Sequence, residues 1–378
     1  MDIPWTLRNE KIETDIICYS EPIVKDPIIE AQFKKELESK HYDLMISNDF
    51  FPSAAKVAYE CQLKYAAWIY DSPYIMSMSD EAALPNCYLF HFDRYHADYV
   101  KMHRGIQIQY FHLAADCEWF GGIDIQDEEI EKYKSDVSFV GSLYDGEDCY
   151  EDLSKIMEQY HDTAALQCMQ SVCINAAFQW DGRDRVMEQM TPEVVQKLNP
   201  YFNQKEMKEY YCPPDYYIAN LLTQKSTFYD RTEILKLLAE QFQVDLYTTG
   251  KPDFLDQVKV HPTVEYLWEA PKVFFSSKIN LNISYRSIIE GTPQRVFDIM
   301  ANGGFVMSSY CKETAELFEE GKEIEFFREP EEILDKVDYY LHHEEERLRI
   351  AMNGYQKVKS EYNFSKRLHM IIDYVLTH

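Results

Sequence analysis

Short apolar runs alternate with polar, helix-like stretches through the first third of the chain. Four of these runs have the length and composition of β-strands, and they cover residues 42–48, 65–70, 87–92 and 106–113. Between the first two runs, residues 54–63 show a helical pattern. Strands that alternate with helices are typical of a parallel sheet. We therefore predict an α/β domain over residues 1–135, with the acidic stretch 127–134 near its end.

The same alternation starts again at residue 136. A strand over 136–142 runs into the small residues Gly141 and Ser142, and a long helical region then extends to Leu238. Later strands are predicted at 244–247, 279–283, 304–307 and 324–327, and the last helices at 344–362 and 365–378. This pattern predicts a second α/β domain over 136–362, with a doubly wound parallel sheet, helices on both faces and a helical insertion. Residues 363–378 are predicted to form a helix that packs back toward the N-terminal domain.

Composition narrows the classes of protein that fit this pattern. The 378 residues suffice for two domains, and 46% of them are hydrophobic, so each domain can bury a core. The net charge of −27 disfavours a nucleic-acid partner, because no Lys/Arg-rich block offsets the repulsion. No run approaches the ~20 apolar residues that a membrane span needs. Nine scattered cysteines and an N-terminus without a secretory signal indicate a cytoplasmic protein.

The segment 278–305 carries the clearest chemical pattern. A predicted strand leads through a short loop to Glu290-Gly291-Thr292, and Pro293 suits the first turn of the next helix. The pair Gly303-Gly304 is expected to end that helix and to start the next strand. The N–H groups of Gly291, Thr292 and Gln294 would lack partners within the helix. With the helix dipole they would form an anion site that suits a pyrophosphate.

Charged side chains surround this predicted anion site. Glu290 lies just before it, and Asp298 follows eight residues later, about two helical turns along. Two carboxylates so placed can accept hydrogen bonds from the hydroxyls of a sugar and of a ribose. The cations available to neutralise phosphate are Arg286, Arg295 and Lys278. Taken singly, each residue fits an ordinary surface charge or a helix cap better; taken together, in a strand–loop–helix setting, they favour a binding site.

At these residues the chain resembles a known family. The two acidic residues and the run 295–305 are similar to the C-terminal domain of GT-B-fold glycosyltransferases, and more closely to that of the CgeB-like (spore maturation protein) glycosyltransferases. Further stretches with counterparts in that group are 278–283, 316–323, 339–341 and 350–354, and in the N-terminal half 68–73, 90–93 and 112–116. The resemblance covers nearly the whole chain; it is strong from Lys278 onward and weak between about 150 and 240.

The resemblance implies two facing Rossmann-like domains that hold a nucleotide-sugar chiefly on the C-terminal side. By it, Glu290 would contact the donor sugar and Asp298 the ribose, although the wider group has Glu where this chain has Asp298. The other residues expected around the donor are Gly141, Ser142, Thr249, Gly250 and Val264, the last beside the base. The chain departs from the family at its beginning, because a helix is expected near Trp5 where the family has a strand.

Asp71 ends a predicted strand of the N-terminal half, where the ligand cleft of such folds opens. Two roles stay open for it: a general base or sugar ligand, and a cap of the turn at Ser72-Pro73. No Asp-x-Asp motif follows a predicted strand, and His91 and His96 lack a third ligand, so we expect no metal site.

Together these features predict a metal-independent glycosyltransferase of the hexosyl-transferring kind, with Asp71 and Glu290 as the candidate catalytic residues. The leaving diphosphate would be stabilised by the helix N-terminus at Gly291-Thr292-Pro293 and by Arg286, Lys278 or Arg295. No cofactor is expected, because the nucleotide-sugar, with UDP-sugar as the first choice, is a substrate. The acceptor, whether protein, glycan or small molecule, stays open. Two alternatives share the donor site: a nucleotide-sugar epimerase and a catalytically silent nucleotide-sugar-binding protein.

Overall fold

Two parallel β-sheets organise the chain in a computed structural model, which describes residues 3–18, 27–145, 149–250 and 252–378. The residues form two compact units. Unit 1 comprises residues 1–114, 208–212 and 362–378, and unit 2 comprises 115–207 and 213–361. The two α/β units with parallel sheets and flanking helices confirm the predicted fold class.

The strands are, in chain order, β1 (Met45–Asn48), β2 (Tyr65–Ile69), β3 (Cys87–His91), β4 (Ile108–Tyr110), β5 (Ser135–Val140), β6 (Val244–Thr248), β7 (Lys259–Pro262), β8 (Ser277–Asn282), β9 (Val306–Ser309) and β10 (Glu325–Phe327). The α-helices are α1 (Ile3–Asn9), α2 (Pro27–Leu37), α3 (Pro52–Glu60), α4 (Arg94–Arg104), α5 (Cys117–Gly121), α6 (Asp127–Tyr133), α7 (Cys149–Gln159), α8 (Thr163–Ala176), α9 (Pro192–Leu198), α10 (Gln204–Glu209), α11 (Pro214–Ala239), α12 (Ala270–Ser276), α13 (Gln294–Ala301), α14 (Lys312–Leu317), α15 (Pro330–His342), α16 (Glu344–Glu361) and α17 (Phe364–Thr377).

The sheet of unit 1 has the order β1-β2-β3-β4, with every neighbouring pair parallel. All five residues of β2 are buried, as expected for a central strand that is covered on both faces. The helix α17 packs on this sheet, and the residues that it buries recur at helical spacing: Phe364, Leu368, Ile371 and Val375. The ring of Phe364 stacks on the indole of Trp68, with the two centroids 5.5 Å apart.

The sheet of unit 2 has the order β10-β9-β8-β5-β6-β7, again with parallel pairs throughout. From β5 the chain adds β6 and β7 on one side and then continues with β8 on the other. The strand order therefore reverses between β5 and β8. In open α/β sheets ligands bind beyond the carboxyl ends of the strands at such a reversal.

The double glycine between α13 and β9 has a separate reason at each position. Gly303 ends the helix with a φ of 70°, in the left-handed region that glycine adopts without strain. At Gly304, a Cβ atom would lie 2.8 Å from Asn280 Nδ2, Ile299 Cγ2 and the Phe274 carbonyl oxygen. This glycine therefore lets α13 pack tightly against the sheet, which fixes the helix beside the end of β8.

The predicted elements agree well with the observed ones. The long helical region is the insertion α7–α11, whose last helix runs for 26 residues. The strand β7 was missed, because its four residues form a half-exposed edge strand with little apolar patterning. The acidic stretch near residue 130 forms α6, which the structure groups with unit 2.

Candidate functional site

The carboxyl edge of the unit 2 sheet gathers most of the predicted donor-binding residues. Gly141 and Ser142 follow β5 directly, Thr249 and Gly250 follow β6, and Val264 follows β7. Since these strands are neighbours and parallel, their carboxyl ends meet at one edge. Gly141 donates its N–H to the Tyr247 carbonyl at 3.0 Å, which ties the first two strand ends together.

The loop after β8 brings the second group to the same edge. It runs through Arg286 and Glu290 to α13, which begins at Gln294 with Pro293 as its N-cap residue. The predicted helix start at Pro293 is therefore correct to within one residue. Because β8 pairs with β5, this loop lies beside the Gly141-Ser142 turn, across the point where the strand order reverses.

Arg231, which we did not single out from the sequence, lies at this reversal. It projects from α11, is 8% exposed, and donates two hydrogen bonds to the Ile283 carbonyl at 3.1 and 2.9 Å. A third hydrogen bond goes to the Ser142 carbonyl, so one guanidinium links the ends of β8 and β5. Burial lowers the pKa of Arg231, and the nearby Tyr144 opposes that shift. Arginine stays charged in proteins, so the edge holds a buried positive charge.

The signal that could have revealed Arg231 was its setting. It is a basic residue within a helix whose following residues, Ile234, Leu235 and Leu238, are completely buried. Burying a cation among apolar residues costs free energy unless the cation is hydrogen-bonded. A basic residue at such a position therefore points to a specific role.

Arg286 is close to this edge but is already engaged. Its side chain is 6% exposed and forms an ion pair with the fully buried Asp230 through two hydrogen bonds. Its Nη1 donates to the Gln179 carbonyl, and its guanidinium lies 4.7 Å from the ring centroid of Trp180. Arg286 thus holds the insertion against the loop after β8, and contact with a phosphate would require it to exchange one of these partners.

The residues just before α13 are packed inside unit 2. Thr292 is fully buried, and its hydroxyl donates to the buried carboxylate of Glu313 and accepts from Thr314 at 3.2 Å. The carbonyl of Gly291 accepts from the Cys311 thiol at 3.2 Å. These contacts fix the main chain at the start of α13, so that the position of its N-terminus is set before any ligand arrives.

The carboxylate of Asp298 faces inward. It is 1% exposed and accepts hydrogen bonds from the Tyr266 hydroxyl at 2.9 Å and from Gln294 at 2.8 Å. Burial raises its pKa, and Arg295, with Nη1 3.6 Å from Oδ2, partly offsets this. A ribose hydroxyl would have to take the place of Tyr266 or Gln294 to reach it. The ribose contact therefore stays a prediction.

Glu290 lies half-buried at the edge, where its carboxylate forms an ion pair with Lys312 at 3.0 Å. Lys312 begins α14 just after the end of β9, so the end of β9 also contributes to this group. The lysine was not among the predicted residues, although its position after a predicted strand end could have suggested it. The pair places opposite charges next to each other on one side of the predicted anion site.

Two of the predicted cations, Arg295 and Lys278, lie at different places in unit 2. Arg295 lies in the first turn of α13, with its guanidinium 5.1 Å from the Phe274 ring. Lys278 lies at the amino end of β8, where it pairs with Asp136 at 2.7 Å. Because a strand separates Lys278 from the carboxyl edge, the structure does not bring it to the other residues. The sequence could have indicated this, because Lys278 precedes the predicted strand 279–283 and ligands of such sheets bind beyond the carboxyl ends of the strands.

In unit 1, Asp71 follows β2 at the carboxyl edge of its own sheet. Part of its side chain is exposed, yet the surrounding protein desolvates the carboxylate and raises its pKa. Asp49, which follows the neighbouring strand β1, accepts a hydrogen bond from the Tyr70 N–H at 2.8 Å. Burial raises the pKa of Asp49 to about 6, and the charge of Asp71 adds to this shift. Two carboxylates with raised pKa values thus lie on adjacent strand ends of unit 1.

Two further features are absent from the described ranges. No group of three or more His, Cys, Asp or Glu side chains among these residues is arranged to hold a metal ion. Likewise, no helix in the described part of the chain combines the length and the apolar composition needed to cross a membrane.

Comparison with known proteins agrees with this architecture. Residues 231–373 match a family described as glycosyl transferase-like. A comparison with curated protein sequences gives no match.

Among solved structures, the chain is similar to HepE of Anabaena in complex with UDP and glucose, with 11% identity, a TM-score of 0.54, and coverage of 98% of this chain and 88% of that one. It is also similar to a glycosyltransferase from Rickettsia africae, with 9% identity, a TM-score of 0.53, and coverage of 98% and 86%. Sucrose-phosphate synthase from Thermosynechococcus elongatus gives 10% identity, a TM-score of 0.51, and coverage of 96% and 85%.

At such low sequence identities, the similarity to these structures establishes the fold alone. Residues 231–373, which span Arg231, the loop after β8 and α13, carry the sequence pattern of the glycosyl transferase-like family, and the chain has the two-sheet α/β fold of the GT-B glycosyltransferases.

Proposed function

We propose that the protein is a glycosyltransferase that moves a sugar, of hexose type, from a nucleotide-sugar to an acceptor. The observation that carries this proposal is the buried Arg231, which links the ends of β5 and β8 where the strand order reverses. The glycosyl transferase-like match over residues 231–373 supports it. The structurally similar HepE was solved with UDP-glucose, which supports a UDP-sugar as the donor.

The leaving group of such a reaction is a nucleoside diphosphate, which develops negative charge as the glycosidic bond breaks. Arg231 and the positive end of α13 supply fixed positive potential at one edge, and neither has to reorganise during the reaction. We propose that these two features, with Arg295 and Lys312 nearby, stabilise the diphosphate without a metal ion. This arrangement replaces the sequence-based proposal of Lys278 for that role, because Lys278 lies at the other end of β8.

Glu290 is the group that we propose to contact the donor sugar. It lies at the end of the loop that leads to α13, and the Lys312 ammonium already holds its carboxylate in place. On the acceptor side we propose Asp71 as the base, because its raised pKa makes it a better proton acceptor than an ordinary aspartate. Membership of the CgeB-like branch, the identity of the acceptor and a cytoplasmic location stay predictions.

Incubation of the full chain with UDP-glucose in the presence of EDTA separates the candidate functions. A transferase releases UDP and sugar slowly to water, an epimerase changes the sugar without releasing UDP, and a silent binding protein does neither. We expect slow release of UDP that EDTA does not abolish. Turnover that needs added Mg²⁺ or Mn²⁺ would contradict the proposed role of Arg231 and α13, and epimerised donor would contradict transfer.

A further inference from the structure

The loop that follows β2 in unit 1, residues 71–77, carries the proposed base Asp71, and we call it the Asp71 loop. None of the other described residues donates a hydrogen bond to the Asp71 carboxylate. Burial alone raises its pKa, without a contribution from a neighbouring charge. A side chain without such partners takes its position from the main chain that bears it. The groups that hold the Asp71 loop therefore determine where this carboxylate lies.

A buried carboxylate holds the residue next to Asp71. The Ser72 hydroxyl donates to Asp93 Oδ2 at 2.8 Å, and Asp93 is fully buried. The second oxygen of this carboxylate, Oδ1, accepts from the Tyr95 N–H at 3.0 Å and so caps α4. Asp93 therefore connects the Asp71 loop directly to the start of α4.

A buried histidine holds the same loop two residues after Ser72. His96, in the first turn of α4, accepts the Tyr74 N–H at Nε2 over 3.2 Å, and Ser77 Oγ lies 3.2 Å from the same nitrogen. Burial lowers the pKa of His96 to about 3, so the ring stays neutral and keeps the lone pair that this hydrogen bond needs. The Tyr74 hydroxyl donates to the Phe50 carbonyl at 2.8 Å, which ties the loop to the chain after β1 as well.

Asp93 and His96 are polar groups at positions that an apolar side chain could fill. Both are fully buried, and each has a hydrogen bond to the Asp71 loop. Burying a carboxylate or an imidazole costs free energy that an apolar side chain would not cost. In return, a buried hydrogen-bonded network specifies one conformation of the chain around it. The Asp71 loop is therefore fixed before a substrate arrives.

We propose that Asp93 and His96 are positioning residues for the reaction, which fix the Asp71 loop so that the Asp71 carboxylate stays where it can take up the proton of the acceptor. Because both side chains are fully buried, they act through Asp71 and not on a substrate. This inference rests on the proposed function, since it extends the proposed role of Asp71 as the base.

The test compares two substitutions of His96. His96→Leu removes the acceptor of the Tyr74 N–H, whereas the side-chain oxygen of His96→Gln can still accept it. The activity measured is the slow release of UDP from UDP-glucose by the full chain. A displacement of a catalytic group by about 1 Å can lower a rate about 100-fold, so we expect kcat to fall roughly 10- to 100-fold in His96→Leu and less than about threefold in His96→Gln. The affinity for UDP should stay as in the parent, because the proposed donor site belongs to unit 2.

Three further measurements separate positioning from a loss of stability. Leu37→Ala opens a cavity where α2 packs on α3, so it should lower the Tm of unit 1 and keep kcat. In an Asp71→Asn background, His96→Leu should lower kcat less than about threefold, because residues that act as a unit have non-additive effects. Hydrogen exchange of the Tyr74 amide should speed up in His96→Leu and stay slow in His96→Gln.

Ser72→Ala keeps the test valid if His96→Leu fails to fold. It removes the hydroxyl that Asp93 accepts and leaves the cap of α4 in place. We expect kcat to fall at least about threefold. Its matched control is Ser53→Ala, which removes a buried hydroxyl of α3 that has no hydrogen-bond partner among the described residues, and kcat should stay as in the parent.

The inference would be overturned if His96→Leu turned over as fast as Leu37→Ala, or if it lost the same factor in the Asp71→Asn background as in the parent. A Tyr74 amide that exchanges as slowly in His96→Leu as in the parent would overturn it as well. These results leave the proposed function standing, because the parent still releases UDP. A parent that releases no UDP from UDP-glucose would refute the proposed function and this inference with it.

Discussion

At the scale of single residues, the candidate site depends on a few charged groups whose partners are already fixed. Arg231 donates to main-chain carbonyls, Glu290 pairs with Lys312, and Asp298 is enclosed by Tyr266 and Gln294. Glu290 is the carboxylate of this group that a ligand can reach without entering the core, because its side chain is 25% exposed and that of Asp298 is 1% exposed. Contact with the donor sugar therefore fits Glu290 better than Asp298.

We predict that Glu290→Gln weakens binding of the intact donor and leaves binding of the bare diphosphate nearly unchanged. A charged hydrogen bond contributes about 1.5–3 kcal/mol, so the loss for UDP-glucose should be roughly 10- to 150-fold. The ion pair with Lys312 is partly exposed, and its removal should change the free energy of unfolding by less than about 1 kcal/mol. Calorimetric titrations with UDP-glucose and with UDP measure the two affinities.

The control for this variant is Glu319→Gln, which breaks a similar exposed pair with Lys322 before the amino end of β10. It should bind both ligands as the parent does. If Glu290→Gln melted at a lower temperature yet bound UDP-glucose normally, Glu290 would be a structural residue and the assignment to the sugar would be wrong.

The raised pKa of Asp71 leads to a prediction about pH. A base must be ionised to act, so turnover should rise with pH through the raised pKa of Asp71, above the value of about 3.9 of an ordinary aspartate. Asp71→Asn should remove most of the turnover and change UDP affinity little, because Asp71 belongs to unit 1. Steady-state rates measured across pH, together with UDP titrations, check both statements.

Asp49→Asn is the matched control, because Asp49 also has a raised pKa, of about 6, and lies on the neighbouring strand end. It should keep the acid-side limb of the pH profile, with a small shift from the lost charge. If the acid-side limb of the pH profile disappeared in Asp49→Asn but persisted in an active Asp71→Asn, Asp49 rather than Asp71 would be the base.

At the scale of elements, the sequence predicted the fold well and the site less completely. The strands and helices near 65–70, 136–142 and 279–283 were recognisable, because buried parallel strands form short apolar runs between helices. The function of the double glycine was also readable, and the structure adds the close approach at Gly304. Edge strand β7 was not recognisable, since exposure removes the apolar pattern on which such predictions depend.

The parts of the site that escaped prediction depend on tertiary contacts. Arg231 and Glu290 are separated by much of unit 2 in sequence, and β6, β7, α12 and β8 lie between them. Nothing in local spacing indicates that Arg231 reaches the end of β8, or that Arg286 is occupied by Asp230 of α11. Lys278 is a different case, because it precedes the predicted strand 279–283 and so lies at the amino end of β8, away from the carboxyl edge where ligands of such sheets bind.

At the scale of the whole molecule, the net charge of −27 disfavours the binding of a diphosphate, which is itself an anion. Long-range repulsion opposes an anionic ligand, so binding depends on positive groups that are close to it and shielded from solvent. In unit 2 the buried Arg231 and the N-terminus of α13 meet this requirement at the edge where the strand order reverses. We therefore predict that nucleotide binding is concentrated at this edge.

The most direct test of this claim is a calorimetric titration of the full chain with UDP in the absence of added metal, for the parent and for Arg231→Met. We predict that the parent binds UDP and that Arg231→Met loses at least about tenfold in affinity, or roughly 1.4 kcal/mol. Arg231→Lys, which keeps the charge and loses the two-pronged contact, should fall between them, and Arg349→Gln, which removes an exposed guanidinium of α16, should match the parent. A parent that binds no UDP without metal, or a folded Arg231→Met that binds it as tightly as the parent, would contradict a diphosphate site at Arg231 and the N-terminus of α13.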